Sequence, residues 1–229
     1  MNPQYTYAAL HVCAFTFPFI LSFDKKVAFY KKWKYLFPAI LIVAAVFVIW
    51  DIYFTHLGVW SFNDNYITGI RLSNLPWEEV LFFITIPYCC LFIYECVLAY
   101  FPKYSFEFFG KSEGLALGIL TLAIGLLNTD KYYTSWSALG ASALLFYMWY
   151  KKFSWNGKFW ISYIIVLIPF FICNGILTSQ PVVIYNNDEN LALRMYTIPV
   201  EDLMYNLIML LGVTILYEKF RTADKSKSA

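Results

Sequence analysis

Apolar residues run almost unbroken through seven stretches of the chain, and polar residues gather in the segments between them. The stretches are Tyr5–Ser22, Tyr35–Ile52, Trp77–Tyr100, Glu113–Asn128, Tyr133–Tyr150, Phe159–Thr178 and Val200–Tyr217. None carries the one-sided stripe of a helix lying on a water-facing surface. They are apolar all round, as helices buried in lipid and protein are. A membrane span needs about 20 residues, so most of the seven suffice and the fourth is short. The pattern predicts an all-α, polytopic membrane protein with about seven transmembrane helices.

Composition points the same way. Hydrophobic residues make up 60% and charged residues 14%, against about 25% charged in ordinary soluble domains. Aromatic residues reach 21%, more than interfacial belts usually use. The segments joining spans 1–2, 3–4 and 5–6, together with the C-terminus, hold 14 of the 17 Lys and Arg, Lys111 among them; Arg71, Lys131 and Arg194 lie on the other side. The positive-inside rule places the basic side in the cytoplasm and the N-terminus outside, in a cell (inner) membrane. The net charge of +2 then belongs to cytoplasmic loops and implies no nucleic-acid partner. No basic segment precedes the first apolar stretch, so no cleavable signal is expected. Cys13, Cys89, Cys90, Cys96 and Cys173 form no Cys-x-x-Cys pair, and His11 and His56 are the only histidines. That supply argues against a zinc or redox-disulfide site. Neither a metal nor a cofactor is expected.

One polar passage occurs twice. Arg71-Leu72-Ser73-Asn74-Leu75-Pro76-Trp77-Glu78-Glu79 recurs, 123 residues on and without a gap, as Arg194-Met195-Tyr196-Thr197-Ile198-Pro199-Val200-Glu201-Asp202. The same shift brings Asn63 onto Asn186, Asp51 onto Asn174, Tyr94 onto Tyr217 and Glu95 onto Glu218. It maps spans 1–3 onto spans 5–7 and leaves span 4 over. Residues 1–110 thus read as a first unit, 111–130 as a linker helix and 131–229 as a second unit. The additional crossing restores the direction of the second unit, so the two are parallel repeats about an axis along the membrane normal. Both acidic motifs therefore lie on one, extracytoplasmic, side and can build one shared site.

Pro76 and Pro199 suit the first turn of a helix, and carboxylates just after them meet the positive end of the helix dipole. A single such motif reads as a helix cap. Two gap-free copies at the mouths of apolar spans read as function, because acids there are costly to keep. Neighbouring helical residues point about 100° apart, so one acid of each pair faces the space between the units. The other is expected to take Arg71 or Arg194 as partner. Burial beside a like charge keeps one acid protonated, and pairing keeps another ionised, which supplies an acid and a base. Glu78 and Glu201, identical at matching positions, rank first as catalytic candidates; Glu79 and Asp202 follow, with Arg71, Arg194, Asn63 and Asn186 in support. Asp51 and Asn174 stand near the outer ends of their spans. Glu95 and Glu218 fall 19 residues after the prolines, about 28 Å away. They read as cytoplasmic end-caps paired with Lys219 or Arg221.

These residues resemble a known family. Gly58-Val59-Trp60-Ser61-Phe62-Asn63, Tyr66, Gly69, Leu75-Pro76-Trp77-Glu78-Glu79-Val80-Leu81-Phe82-Phe83 and Tyr94-Glu95 resemble the first unit of the non-flavin lycopene cyclases. Ile198-Pro199-Val200-Glu201-Asp202-Leu203 with Tyr217-Glu218 resembles the partner unit. The whole chain resembles the fused form, without the phytoene synthase domain of some fungal relatives. The resemblance implies that lycopene or a related linear carotenoid, held in the lipid bilayer, is converted to a ring-ended carotenoid with no net redox change. An acid protonates the terminal double bond, the neighbouring alkene attacks the cation, and a base removes a proton. Of Trp60, Phe62, Tyr66, Trp77, Phe82, Phe83, Tyr196 and Tyr205, one or two are expected to face the cation. The resemblance implies a lycopene β-cyclase, giving β-carotene by way of γ-carotene; the residues themselves leave the ring type, β or ε, open, as they do self-association into a homo-oligomer.

Other readings remain at this stage. A prenyltransferase-like enzyme would use Asp-rich motifs and magnesium, but Asn63-Asp64-Asn65 and Asn186-Asn187-Asp188-Glu189-Asn190 are poor matches to each other. A proton-coupled transporter also uses intramembrane carboxylates, and a carotenoid-binding protein would hold its ligand unchanged. No Gly-x-Gly-x-x-Gly or Walker loop is present.

Overall fold

The computed structural model describes residues 2–105 and 113–227, with side chains as far as residue 224 at the C-terminal end. Lys111 and the boundary drawn at 110/111 lie outside the described residues, as do the side chains of Lys225 and Lys227. Among the described residues seven α-helices follow one another: α1 (Thr6–Leu21), α2 (Trp33–Leu57), α3 (Trp77–Tyr100), α4 (Glu113–Leu127), α5 (Tyr132–Lys151), α6 (Asn156–Ser179) and α7 (Glu201–Lys227). The fold is all-α and fits a membrane protein. The stretches Phe29–Leu57, Trp77–Tyr100, Asn156–Ser179 and Glu201–Asp224 are long and apolar enough to cross a bilayer. α1 and α4 are shorter, at 16 and 15 residues. α5 has the length, but Thr134, Ser135, Ser137 and Ser142 dilute its hydropathy; all four are buried against protein. α7 runs past Tyr217, the end expected from hydropathy, because its polar last turns still form good helix.

Short strands join the helices at one end of the bundle: β1 (Trp60–Phe62), β2 (Arg71–Leu72), β3 (Leu75–Pro76), β4 (Val183–Tyr185), β5 (Arg194–Met195) and β6 (Ile198–Pro199). Two tight hairpins, β2–β3 and β5–β6, stand immediately before the acidic pairs, with Arg71 opposite Pro76 and Arg194 opposite Pro199. Their backbones match as well as their sequences. The first turn residue has positive φ in both, +57° at Ser73 and +60° at Tyr196. Gly69 (+87°) likewise corresponds to Ala192 (+56°).

β1 pairs antiparallel with β4, Trp60 opposite Tyr185, Ser61 opposite Ile184 and Phe62 opposite Val183. Ser61 and Ile184 are 123 residues apart, so the shift that repeats the sequence maps this ladder onto itself. Flanking bonds obey the same rule: the Asn63 N–H donates to the Val182 carbonyl at 3.0 Å and the Asn186 N–H to the Val59 carbonyl at 2.9 Å. The ladder sits on a local two-fold axis. Strand side chains alternate between faces; Trp60, Phe62, Val183 and Tyr185 face inward while Ser61 and Ile184 are exposed.

Below the ladder, α2, α3 and α7 pack around a core that includes Phe47, Phe83, Tyr88, Leu91, Leu211 and Val213. α4 lies against α5 through glycine. A Cβ on Gly125 would come within 2.8 Å of Leu139, and one on Gly118 within 2.9 Å of Phe146. Small residues let helix backbones approach closely where lipid supplies no hydrophobic drive.

Candidate active site

The two hairpins deliver both acidic pairs to the same end of the bundle, but they split the members of each pair. Glu78 and Glu201 are fully buried and turn toward their own loops. The Glu78 carboxylate accepts the Thr68 N–H at 2.8 Å and the Thr68 hydroxyl at 2.8 Å. Glu201 accepts the Leu191 N–H at 2.8 Å and the Thr134 hydroxyl at 2.6 Å. Thr68 and Leu191 are again 123 apart. Each acid thus fastens the loop ten residues ahead of it. Glu78 Oε2 and Glu201 Oε2 are buried without a hydrogen-bond partner among the described residues.

Glu79 and Asp202, one helical position on, face inward and line a common chamber of about 50 Å³. Phenols reach them from distant elements. Tyr7 on α1 donates to Glu79 at 2.6 Å. Tyr133 on α5 and Tyr185 on β4 donate to Asp202 at 2.5 and 3.0 Å. A third carboxylate, Asp51 on α2, lines the same chamber and accepts the Tyr205 hydroxyl from α7. The two units therefore present unequal groups: one phenol on Glu79, two on Asp202. Burial, and then the Asp202 and Glu79 carboxylates, push the Tyr185 phenol well above its ordinary value, so it stays a donor. Trp60, Phe62 and Phe82 complete an aromatic wall.

The expected arginine partners are elsewhere. Arg71 donates to Asp64 at 2.5 Å and to the Asn74 carbonyl at 2.8 Å. Arg194 donates to Asn190 at 3.1 Å and to Asn187, and lies over the Tyr185 ring at 5.8 Å. In a two-residue-turn hairpin the Arg opposes Pro76 or Pro199, not the acids, and its guanidinium closes the loop instead. Asn63 and Asn186 also serve loops, each accepting the N–H two residues on, at 3.0 and 3.1 Å. Asp51 and Asn174 both line the chamber. Asp64 and Asp188, the acids of a diphosphate reading, are exposed outside it. Among the described residues no group of three His, Cys, Asp or Glu is placed to hold a metal ion.

Of the eight aromatic residues near the motifs in sequence, Trp60, Phe62, Phe82 and Tyr205 line the chamber. Tyr196 projects from its hairpin, 85% exposed. Tyr7, Tyr133 and Tyr185 escape a reading by proximity, since Tyr7 and Tyr133 lie 72 and 69 residues from the acids they touch. His11 has a signal that the repeat contains: the shift maps it onto Thr134, the donor to Glu201. In the first unit the imidazole instead pairs with Thr85 at 2.8 Å, and its Nε2 is buried without a hydrogen-bond partner among the described residues.

At the opposite end, Glu95 and Glu218 form a separate cluster. Arg221, rather than Lys219, joins them, at 3.2 and 2.6 Å, and Lys32 also binds Glu95.

Comparison with known proteins adds one match. A family model described as lycopene cyclase covers residues 4–97 and 130–220. No curated protein and no solved structure matches the chain.

Proposed function

The chain belongs to the lycopene cyclase family, and from that premise we propose that it closes a β-ring on lycopene or a related linear carotenoid through Glu79 and Asp202. The observation that carries this reading is the shared chamber: Glu79 from one unit and Asp202 from the other, each bonded to phenols and, among the described residues, to no loop amide, with Asp51 beside them and an aromatic wall around all three. Glu79, with a single phenol donor, is the general acid. It transfers its proton to the terminal double bond and leaves a tertiary cation. The electrons of the neighbouring alkene form the ring bond, which moves the cation into the ring. Asp202, an anion held by Tyr133 and Tyr185, removes the ring proton and restores neutrality. One proton enters and one leaves, so the reaction is an isomerisation. Glu79 and Asp202 line the same chamber, so the proton returns without crossing the membrane. Trp60, Phe82 and Tyr205 offer π-faces to the cation, worth roughly 2 kcal/mol or more each when desolvated.

Glu78 and Glu201 support these two groups by fixing the loops from which α3 and α7 begin. Arg71, Arg194, Asn63 and Asn186 shape the same loops. Units 1–110 and 131–229, with 111–130 between them, both contribute residues to the chamber, the larger share from the second. The charge bias supports an outer location for it, with the N-terminus outside and the C-terminus cytoplasmic, in a cell membrane.

Chromatography of pigments from lycopene-making bacteria tests the proposal. With the chain present, lycopene should give way to γ- and then β-carotene. Glu79→Gln and Asp202→Asn should each lower conversion by about 10²–10⁴-fold, the usual contribution of a positioned acid or base. Full conversion by both variants would overturn the assignment.

A further inference from the structure

The acid chamber does not end at its own walls. Phe82, Phe170, Asn174 and Asn206 also line a second cavity of about 170 Å³, deeper between α1, α3 and α6. Apart from the two amides at this neck, every residue around the second cavity is apolar or a cysteine. It therefore offers almost nothing to a ligand that needs hydrogen bonds. Along α3 the path runs from Glu79 to Ile93, 14 residues or about 21 Å at 1.5 Å per residue. Its outer side is open too. Ala14, Ile172 and Cys173 line both this cavity and a larger groove of about 770 Å³ between α1 and α6. Pro18 and Pro169 stand on its two flanking helices, and each removes a rung of the helical hydrogen-bond ladder.

We propose that these adjoining cavities open into one apolar channel that holds the polyene of a linear carotenoid, entering sideways from the bilayer between α1 and α6. The inference rests on the cyclase reading for the identity of the hydrocarbon, and on the shared neck for its direction. One end group passes Phe82 and Phe170 to reach Glu79 and Asp202, while the rest of the chain fills the space beyond Asn206. The 50 Å³ chamber is too small for a ring, so the two phenylalanines must turn aside as the end enters. A channel that meets the acids at one end handles one carotenoid end at a time.

The channel can be tested without relying on turnover. Full-length Glu79→Gln protein, isolated from lycopene-making bacteria, should retain carotenoid, measured by pigment absorbance per mole of protein. Adding Ala14→Trp, at the junction of cavity and groove, should lower retention at least tenfold. Adding Ala45→Trp, on the exposed face of α2, should leave it unchanged. Equal retention in the Ala14→Trp protein, or none in the Glu79→Gln parent, would overturn the channel. Cyclic pigment held by the Glu79→Gln parent would instead count against the acid assignment and leave the channel standing. A second measurement uses the native cysteines and needs no bulky substitution. Lycopene-loaded protein, treated with a membrane-permeant thiol reagent and mapped by mass spectrometry, should show Cys89 and Cys173 protected and Cys96 unprotected. Equal labelling with and without lycopene would mean that lipid alone occupies the space, and the proposal would fail.

Discussion

The Tyr217 hydroxyl donates to Glu95 at 2.6 Å, from α7 to α3. Tyr94, 123 residues earlier, returns the bond to Glu218 at 2.6 Å. Each unit thus lends a tyrosine to the other's carboxylate, and Arg221 bridges the two acids. Lys32 also holds Glu95, but removing Arg221 leaves Glu218 buried without a cation, which typically costs about 3–5 kcal/mol. Arg221→Leu should therefore lower the thermal midpoint of the detergent-solubilised protein markedly. A midpoint within a degree of the parent would show that the cluster does not hold α3 to α7.

Loop acids and chamber acids should separate in assay. Glu78→Gln keeps an oxygen for the Thr68 N–H, so it should lower cyclisation by less than tenfold while Glu79→Gln nearly abolishes it. Glu201→Gln should resemble Glu78→Gln. If Glu78→Gln and Glu79→Gln lose activity equally, the division of labour between the members of the pair is wrong.

Tyr185 gives a pH prediction. Its phenol lies well above the ordinary value in the folded chain, whereas an unfolded tyrosine ionises near 10. The folded state therefore binds the extra proton above pH 10, and stability falls as pH rises past that point. A difference titration of phenolate absorbance, parent minus Tyr185→Phe, should show no ionisation of this residue near pH 10. Ordinary titration there would contradict its place beside Asp202. Tyr185→Phe should also slow cyclisation, since Asp202 retains only Tyr133.

Ala192 occupies the left-handed conformation that Gly69 occupies in the first unit. A side chain costs roughly 1–2 kcal/mol there. Ala192→Gly should raise the thermal midpoint by a few degrees, and Gly69→Ala should lower it. Opposite signs would mean that the loops are held by contacts stronger than backbone preference.

Gly125 tests the docking of α4. Its added Cβ would also meet the Leu139 backbone N at 3.2 Å, which cannot rotate away. Gly125→Ala should destabilise by about 1–3 kcal/mol, as overpacking does. Gly175→Ala, with nothing within 4 Å, should be neutral or gain helix propensity of up to about 1 kcal/mol. Equal effects would place α4 away from α5.

Seven helices are legible in the sequence because lipid-facing segments leave unbroken apolar runs. The doubled motif is legible because neither copy carries a gap. Which acid of each pair meets the chamber is not, since that depends on the hairpin's rotation of the helix start and not on residue identity. Identity favours Glu78 and Glu201, conserved between the copies because both loops need the same staple. Tyr7 and Tyr133 arrive from other helices, a relationship no local pattern carries. The arginines mislead for a related reason: closeness along the chain to an acid is overridden by the two-residue turn, which sends them toward Asp64 and Asn187.

The ladder centred on Ser61 and Ile184 also bears on how a symmetric scaffold acquires direction. Two identical halves would offer two identical carboxyls, and nothing would decide which gives a proton and which takes one. A single chain lets the copies diverge while the dyad still registers them: Glu79 against Asp202, His11 against Thr134, Phe82 against Tyr205. Each such difference tilts the pair toward fixed roles. Polarity at this centre then rests on the differences between the copies, and a chain rebuilt with two first halves should assemble yet lack a preferred direction for the proton.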